Sequence, residues 1–142
     1  MATITTVSQI VQNKYHFWLQ ATAETDGVTG DTSDKLLDYD VDLDPVIDGR
    51  TFTQWKILRA IITGQNGVDS TAIWTLRWDA GTDVRVIVIP SNNAADLDFS
   101  DYLFGGLLMA GTNPTGDLML YIDDATTNTE RCTVILHGQL MP

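Results

Sequence analysis

The sequence predicts an all-β, single-domain protein, and three observations support this prediction. The chain has 142 residues, an ordinary size for one domain. Its composition includes 17 Asp and 19 Thr but only 2 Glu and 3 Lys. Glu and Lys favour helices, whereas Thr favours strands and Asp favours turns. Apolar and polar residues also alternate with a period of two through much of the chain, which is typical of strands.

The first 13 residues form a polar lead-in, which we expect to be a short helix or an extended arm. Its apolar residues recur at roughly helical spacing, and they are Ile4, Val7, Ile10 and Val11. The β domain itself is expected to span 14–142.

Seven clear strands and one doubtful strand are predicted within this domain. The clear strands fall at 15–22, 37–43, 51–63, 72–78, 84–89, 118–122 and 130–137. The doubtful one lies in 98–110, which holds either a short helix or an irregular strand. Stretches rich in Gly, Asp, Asn or Pro separate the strands, including a loop at 26–33. Strands at this spacing predict a β-sandwich, and eight of them suit a jelly roll.

Two central strands, at 57–62 and 86–89, are apolar on both faces. The outer face of a two-layer sandwich is normally polar, so this surplus apolar surface needs a cover. We therefore expect the protein to self-associate.

The net charge of −11 restricts the class of partner. Such a surface repels phosphates and anionic lipid, so binding to nucleic acid or to a membrane is not expected. The chain has no run of about 18 apolar residues, and its start does not look like a signal peptide. We therefore expect a protein that is made in a cytoplasm and is not secreted.

One segment concentrates the acidic residues, with nine of the 19 between Glu24 and Asp48. In a strand, its four alternating aspartates would project from one side, roughly 6.7 Å apart. They are Asp38, Asp40, Asp42 and Asp44. Such a stripe could be a solvated face or protected sheet edge, a surface for a basic partner, or a calcium site. It is not an EF-hand, because Leu43 stands where that loop needs Gly.

Catalytic and cofactor motifs are missing from the sequence. It has no Gly-x-Ser-x-Gly elbow and no glycine-rich phosphate loop. The two histidines and one cysteine are scattered along the chain, too few for a conventional metal site. Cys132 is expected to be a small buried hydrophobe. We therefore predict a protein that is not an enzyme and has no cofactor or metal ion.

Four tryptophans could either stack against sugars or fill the core. Trp74 and Trp78 lie two positions apart from Leu76 on one predicted strand face, which favours core packing. Trp18 and Trp55 lie on other strands.

The chain resembles small virion proteins of tailed bacteriophages, above all capsid decoration (cement) proteins. The resemblance lies in the short start, the many Thr and Asp, the sandwich pattern and the late apolar stretch Phe104-Gly105-Gly106-Leu107. It implies a non-enzymatic virion protein that binds the outside of an assembled capsid, often as a trimer. Its partner would be the major capsid protein or another virion protein. Two alternatives remain open: a tail or fibre-attachment module, and a carbohydrate-binding module.

Overall fold

The computed structural model describes residues 1–66, 70–90, 92–102 and 105–142. Within these residues the chain forms twelve strands and one helical turn, so the all-β prediction is confirmed. The elements are β1 (Ile4–Asn13), β2 (His16–Thr25), β3 (Gly30–Leu37), α1 (Tyr39–Asp42), β4 (Val46–Ile47), β5 (Arg50–Thr51), β6 (Gln54–Gln65), β7 (Ile73–Trp78), β8 (Val84–Ile89), β9 (Ala94–Asp98), β10 (Leu107–Leu108), β11 (Leu118–Ala125) and β12 (Arg131–Met141).

The main strands form two antiparallel sheets with jelly-roll connectivity. The larger sheet has the order β1-β2-β12-β6, and β9 and β10 both pair with the far edge of β6. The smaller sheet has the order β3-β11-β7-β8. Apart from the β1–β2 and β7–β8 hairpins, each connection between successive long strands crosses from one sheet to the other. Eight strands wound in this way make a jelly roll.

The core lies between the two sheets, where the inward side chains of both meet. Trp55 from the larger sheet packs edge-on against Trp78 from the smaller one, with ring centroids 4.7 Å apart. Its indole Nε1 donates to the carbonyl of Gly116 at 2.7 Å, which satisfies the only polar atom of the side chain. Trp55 and Phe17 also meet edge to face at 5.1 Å. The contact between Trp55 and Trp78 joins the two sheets, and the indole N–H of Trp55 is paired.

The lead-in is part of the larger sheet and is not a helix. β1 pairs with β2 in continuous register from Ile4 to Asn13. Ile4 and Ile10 pack against the core, whereas Val7 and Val11 are exposed on the other side. The extended alternative is therefore the one observed. The helical alternative was wrong because it merged the apolar residues of two strand faces into one pattern.

The predicted strand at 37–43 is also wrong. β3 occupies Gly30–Leu37, much of which was expected to be loop, and the chain then enters α1. Side-chain contacts stabilise this turn in place of a strand ladder. The Tyr39 N–H donates to Asp117 Oδ1 at 2.8 Å, and its phenol donates to the carbonyl of Phe52 at 2.6 Å.

The number of strands exceeds the seven or eight predicted. The additional strands are β1, β4, β5 and β10. β4 pairs with β5, and β10 pairs with β6. In the doubtful region, 98–110, the chain forms β10, and β9 ends at its first residue, Asp98. The described part of this region therefore follows the irregular-strand alternative, while Leu103 and Phe104 lie outside the described residues. None of the helical structure in the described residues is long and apolar enough to cross a membrane.

Candidate functional site

The outer side of the larger sheet carries the candidate site, which we call the aromatic face. We define it as the outward side chains near the centre of β1, β2, β12 and β6. Backbone register places one residue from each of these strands, and one from β9, in a single row across the sheet. This row consists of Val11, Trp18, His137, Arg59 and Asp98.

Large apolar side chains on this face are open to solvent. The exposed fraction is 69% for Val7, 56% for Val11, 43% for Trp18 and 36% for Ile135. Val11 lies opposite Trp18, and Ile135 lines a cavity together with Trp18, whereas Val7 lies two rows away opposite Thr22. Single exposed apolar residues are ordinary, but adjacent ones on a sheet face mark a contact surface. The aromatic face is therefore a surface suited to packing against another molecule.

Two histidines that are 121 positions apart in sequence meet on this face. His16 Nδ1 and His137 Nε2 are 2.9 Å apart, within hydrogen-bond distance. The ring of His137 stacks on Trp18 at 4.8 Å with an interplanar angle of 9°. Burial and the neighbouring His16 imidazole together lower the pKa of His137 from its usual 6.5. His137 is therefore a neutral imidazole near neutral pH.

A shallow cavity of about 180 Å³ lies beside this stack. It is lined by Trp18, Arg59, Ile61, Ile135, Leu136 and His137. The one guanidinium in this lining, that of Arg59, is already bound to Asp96, whose Oδ1 accepts from Arg59 Nε at 2.8 Å. This bond holds the pKa of Asp96 below its usual range. The rim charge of the cavity is thus balanced within the chain.

The outer side of the smaller sheet is organised differently, around the guanidinium of Arg77. Its Nε donates to the hydroxyl of the fully buried Thr75 at 3.1 Å, and a terminal nitrogen donates to Asp123 at 3.2 Å. The same group lies 4.1 Å above the ring of Tyr121, whose hydroxyl is bonded to Asp83. Polar groups here satisfy one another, so this face needs no partner to complete them.

Self-association was predicted from the outer sides of 57–62 and 86–89, and the structure divides these two segments. In β6, Leu58 and Ile61 are half-buried and face outwards near the aromatic face. In β8, Val88 is 53% exposed on the opposite side of the molecule. The outer side of the smaller sheet also carries Ile73, which is 47% exposed, so exposed apolar side chains occur on both outer faces.

The four aspartates do not form a one-sided stripe. Asp38 precedes α1, Asp40 and Asp42 lie within it, and Asp44 follows it. The carboxylate of Asp42 accepts the N–H of Asp38 at 2.7 Å, so one member serves to close the turn. Their part in partner binding stays a prediction.

These aspartates nevertheless lie at one end of the sandwich, which we call the acidic end. Lys35 Nζ contacts Asp38 at 3.4 Å and Asp117 at 2.7 Å. The backbone of Asp44 is bonded in both directions to the side chain of Gln12, at 2.7 and 2.8 Å. The acidic end therefore has a defined backbone, with the carboxylates of Asp40 and Asp42 on exposed residues.

Three of the four tryptophans, Trp55, Trp74 and Trp78, are buried, which confirms the core prediction for Trp74 and Trp78. Trp18 is the exception and lies on the aromatic face. Cys132 is also buried as predicted, and burial raises the pKa of its thiol to about 12. Such a thiol is not a nucleophile at neutral pH.

Glu130 is a buried carboxylate that the sequence pattern did not single out. It is fully buried, and its oxygens accept from the hydroxyls of Thr25 at 3.1 Å, Ser70 at 3.0 Å and Thr126. Three neutral donors from separate segments converge on it, so it fastens the end of β2 to two loops. Its role is structural, because its oxygens are already occupied by these donors.

The comparisons with known proteins leave the family open. The sequence matches no family model and has no significant match among curated proteins. Among the described residues, no group of three or more His, Cys, Asp or Glu side chains is arranged to share a metal ion. The geometry of the described residues offers two candidate contact surfaces, the aromatic face and the acidic end.

Proposed function

We propose that this protein is a non-enzymatic structural component of a tailed-phage virion that binds the outer surface of the assembled capsid as a homo-oligomer. The observation that carries the proposal is the contrast between the aromatic face, with its exposed apolar side chains, and the smaller sheet, whose polar groups are mutually satisfied. Jelly rolls recur in viral capsid and lectin domains, which supports the proposal by analogy of fold.

The partner we assign to the aromatic face is a second copy of the chain. Two molecules of charge −11 repel one another over most of their surface. Near Trp18 the charge of Arg59 is offset by Asp96, which limits the charge that two copies bring together at this point. Burial of Trp18 and its apolar neighbours then stabilises the contact. A trimer, which the resemblance implies, would place this face against a different side of the next copy.

The acidic end is the surface that we assign to the capsid. Asp38, Asp40, Asp42 and Asp44 would meet a basic or cation-bridged surface of the major capsid protein or another virion protein. Exposed ion pairs contribute only about 0–1 kcal/mol each, so these charges would govern register and association rate more than affinity.

Purified particles provide the direct test. We expect the protein to co-sediment with mature heads in a fixed ratio to the major capsid protein, measured by quantitative mass spectrometry. Recovery with tails alone would favour the tail or fibre-attachment alternative and would exclude decoration of the capsid. Absence from all particle fractions would overturn the virion proposal.

The rate of attachment tests the acidic end separately. Raising salt from about 0.05 M to 0.5 M shortens the Debye length from roughly 14 Å to about 4 Å. We expect slower attachment to bare particles but little loss from decorated ones. Replacing the four aspartates with Asn should reproduce the slow attachment, since Asn keeps an acceptor oxygen for the local turn. Attachment of this variant at the wild-type rate would leave the aspartates as a solvated surface.

A carbohydrate-binding module remains the second candidate, because Trp18 is exposed beside the shallow cavity. The other three tryptophans are buried and cannot extend a stacking platform. One side of the Trp18 ring is also covered by His137. Saturable changes in Trp18 fluorescence with an oligosaccharide, abolished in W18A, would favour this candidate over the virion proposal.

A further inference from the structure

The His16–His137 pair has a geometry that goes beyond packing. The two rings come from neighbouring strands, and they are diagonal neighbours because His137 lies opposite Trp18 and His16 lies opposite Gln139. Their centroids are 5.1 Å apart with a 36° tilt. Both residues are half-buried on the outer face of the sheet, so the two nitrogens that face one another are partly shielded from bulk water yet remain reachable from it.

The facing atoms are His16 Nδ1 and His137 Nε2. When both rings are neutral, one proton lies between these nitrogens and one ring accepts from the other. If that proton moves to the far nitrogen of its own ring, both facing nitrogens present lone pairs. No proton is lost in this change of tautomer, and the result is a pair of imidazole ligands directed at a common space.

The separation of these atoms selects the geometry of an ion between them. Imidazole nitrogens bind metals at about 2.0–2.1 Å. Two nitrogens 2.9 Å apart therefore subtend about 90° at a bound ion. A right angle matches adjacent positions of a square-planar or tetragonal Cu²⁺ or Ni²⁺ ion. A tetrahedral Zn²⁺ ion would require the nitrogens to move to roughly 3.3 Å apart.

We propose that His16 and His137 form a two-imidazole binding site for a divalent transition-metal ion of tetragonal preference, Cu²⁺ ahead of Ni²⁺. Water completes the coordination, since the described residues bring no third His, Cys, Asp or Glu ligand to the pair. Each ring turns by about 45° from the line that joins the nitrogens, which directs both lone pairs at the ion. The site requires only the folded chain, and it lies on the aromatic face that we assign to a second copy.

The surroundings of the pair favour an ion in two ways. The ring of His137 stacks on Trp18 at 4.8 Å, and this contact limits the positions that the ring can take before and after it turns towards the ion. The nearest guanidinium along the row, that of Arg59, is paired with Asp96, so its charge is offset.

The test titrates the full chain with CuCl₂ and NiCl₂ at pH 7.5 by isothermal calorimetry and tryptophan fluorescence. We expect about one equivalent of Cu²⁺ to bind and to quench Trp18, with EDTA restoring the signal. Electron paramagnetic resonance of the one-equivalent complex should show coupling to two nitrogens. Millimolar Mg²⁺ or Ca²⁺ should not compete, because these ions prefer oxygen ligands.

Three variants separate the site from its reporter. H16Q and H137Q should each weaken Cu²⁺ binding at least about tenfold, in line with the loss of one of two ligands. W18F should bind Cu²⁺ like the wild type by calorimetry while losing most of the quenching. Circular dichroism checks that each variant is folded.

Two results would overturn the proposal. One is wild-type Cu²⁺ affinity in folded H137Q and H16Q, which would place the ion elsewhere. The other is a paramagnetic resonance spectrum of the wild type without two-nitrogen coupling, and this measurement does not depend on how any variant folds.

Discussion

The outer sides of the two sheets differ in the contacts that their side chains make within the chain. On the smaller sheet, the single side chain of Arg77 contacts Thr75, Asp123 and the ring of Tyr121. Its charge, two of its N–H donors and its planar face are therefore used within the chain. On the larger sheet, Trp18 and its apolar neighbours remain exposed. The same sandwich thus carries one outer face organised around a polar network and one that presents an exposed tryptophan.

The difference has a physical origin in what each strand places outwards. Guanidinium, phenol and carboxylate groups satisfy one another when strand register brings them together. Exposed valine, isoleucine and tryptophan side chains are stabilised when they are removed from water, and this requires contact with another surface. Substitutions on either face can test this contrast.

The largest expected effect is on self-association, from a charge placed on the aromatic face. W18E should weaken oligomerisation at least about 30-fold, because buried tryptophans at interfaces contribute 2 kcal/mol or more. Sedimentation velocity at micromolar concentration measures the change.

The matched control for this variant is V88E. Val88 is similarly exposed, but it lies on the smaller sheet. The V88E variant should leave the oligomer intact. If V88E dissociated the oligomer and W18E did not, the interface would lie on the smaller sheet, which would contradict our assignment. A wild-type protein that is monomeric under these conditions would remove the interface altogether.

The next effect is on stability, from loss of the Arg77 network. R77A should lower the free energy of unfolding by about 2 kcal/mol, since it removes a cation–π contact and leaves the buried hydroxyl of Thr75 without its partner. Urea denaturation measures the change. R131A is the control on the larger sheet, where the ion pair with Glu24 is about half exposed, and it should change stability by under about 0.5 kcal/mol. Equal losses in both variants would contradict the contrast between the faces.

A smaller effect is expected from pH, through His137. Its pKa is lower in the folded protein than the usual 6.5, so the unfolded chain binds a proton more readily. Stability is therefore full above pH 6.5, declines as pH falls through 6.5, and levels off below the folded pKa. H137Q should remove this decline in urea-melt midpoints between pH 5 and 8.

H16Q separates the two causes of that shift. It removes the neighbouring imidazole but leaves His137 partly buried, and burial is the larger cause. The decline should therefore shrink without disappearing. An identical pH profile for wild type and H137Q would show that protonation of this pair is not coupled to folding.

The smallest effect concerns the inner side of the strand that carries His137. Cys132 points into the core, and the pKa of its thiol is about 12, so almost no thiolate is present at pH 8. Native protein should show no reaction with a thiol reagent such as Ellman's reagent over an hour, while urea-unfolded protein should react completely. Rapid reaction of the native protein would mean that β12 opens readily.

The sequence determined the parts of this structure that depend on local pattern. Period-two alternation located β2, β6, β7, β11 and β12, and turn residues separated them. The placement of Trp74 and Trp78 in the core followed from the same alternation, as did the all-β class. Alternation is a backbone property of strands, so it can be read without knowing which strands are neighbours.

Local pattern failed where contacts distant in sequence replaced it. At Tyr39, hydrogen bonds to Asp117 and Phe52 stabilise a helical turn inside a segment whose alternation predicts a strand. In the lead-in, pairing with β2 assigned Ile10 and Val11 to opposite faces that a helical reading had merged. In both places the deciding partner is far along the chain or depends on register.

The candidate sites divide in the same way. The concentration of aspartates is visible in the sequence, but their arrangement around α1 is not. His16 and His137 are unremarkable 121 residues apart, and only the pairing of β2 with β12 brings their nitrogens to 2.9 Å. Sequence therefore determined which residues alternate and where charge accumulates. Tertiary structure decided which of them meet, because strand order and register are set by the packing of both sheets on one core.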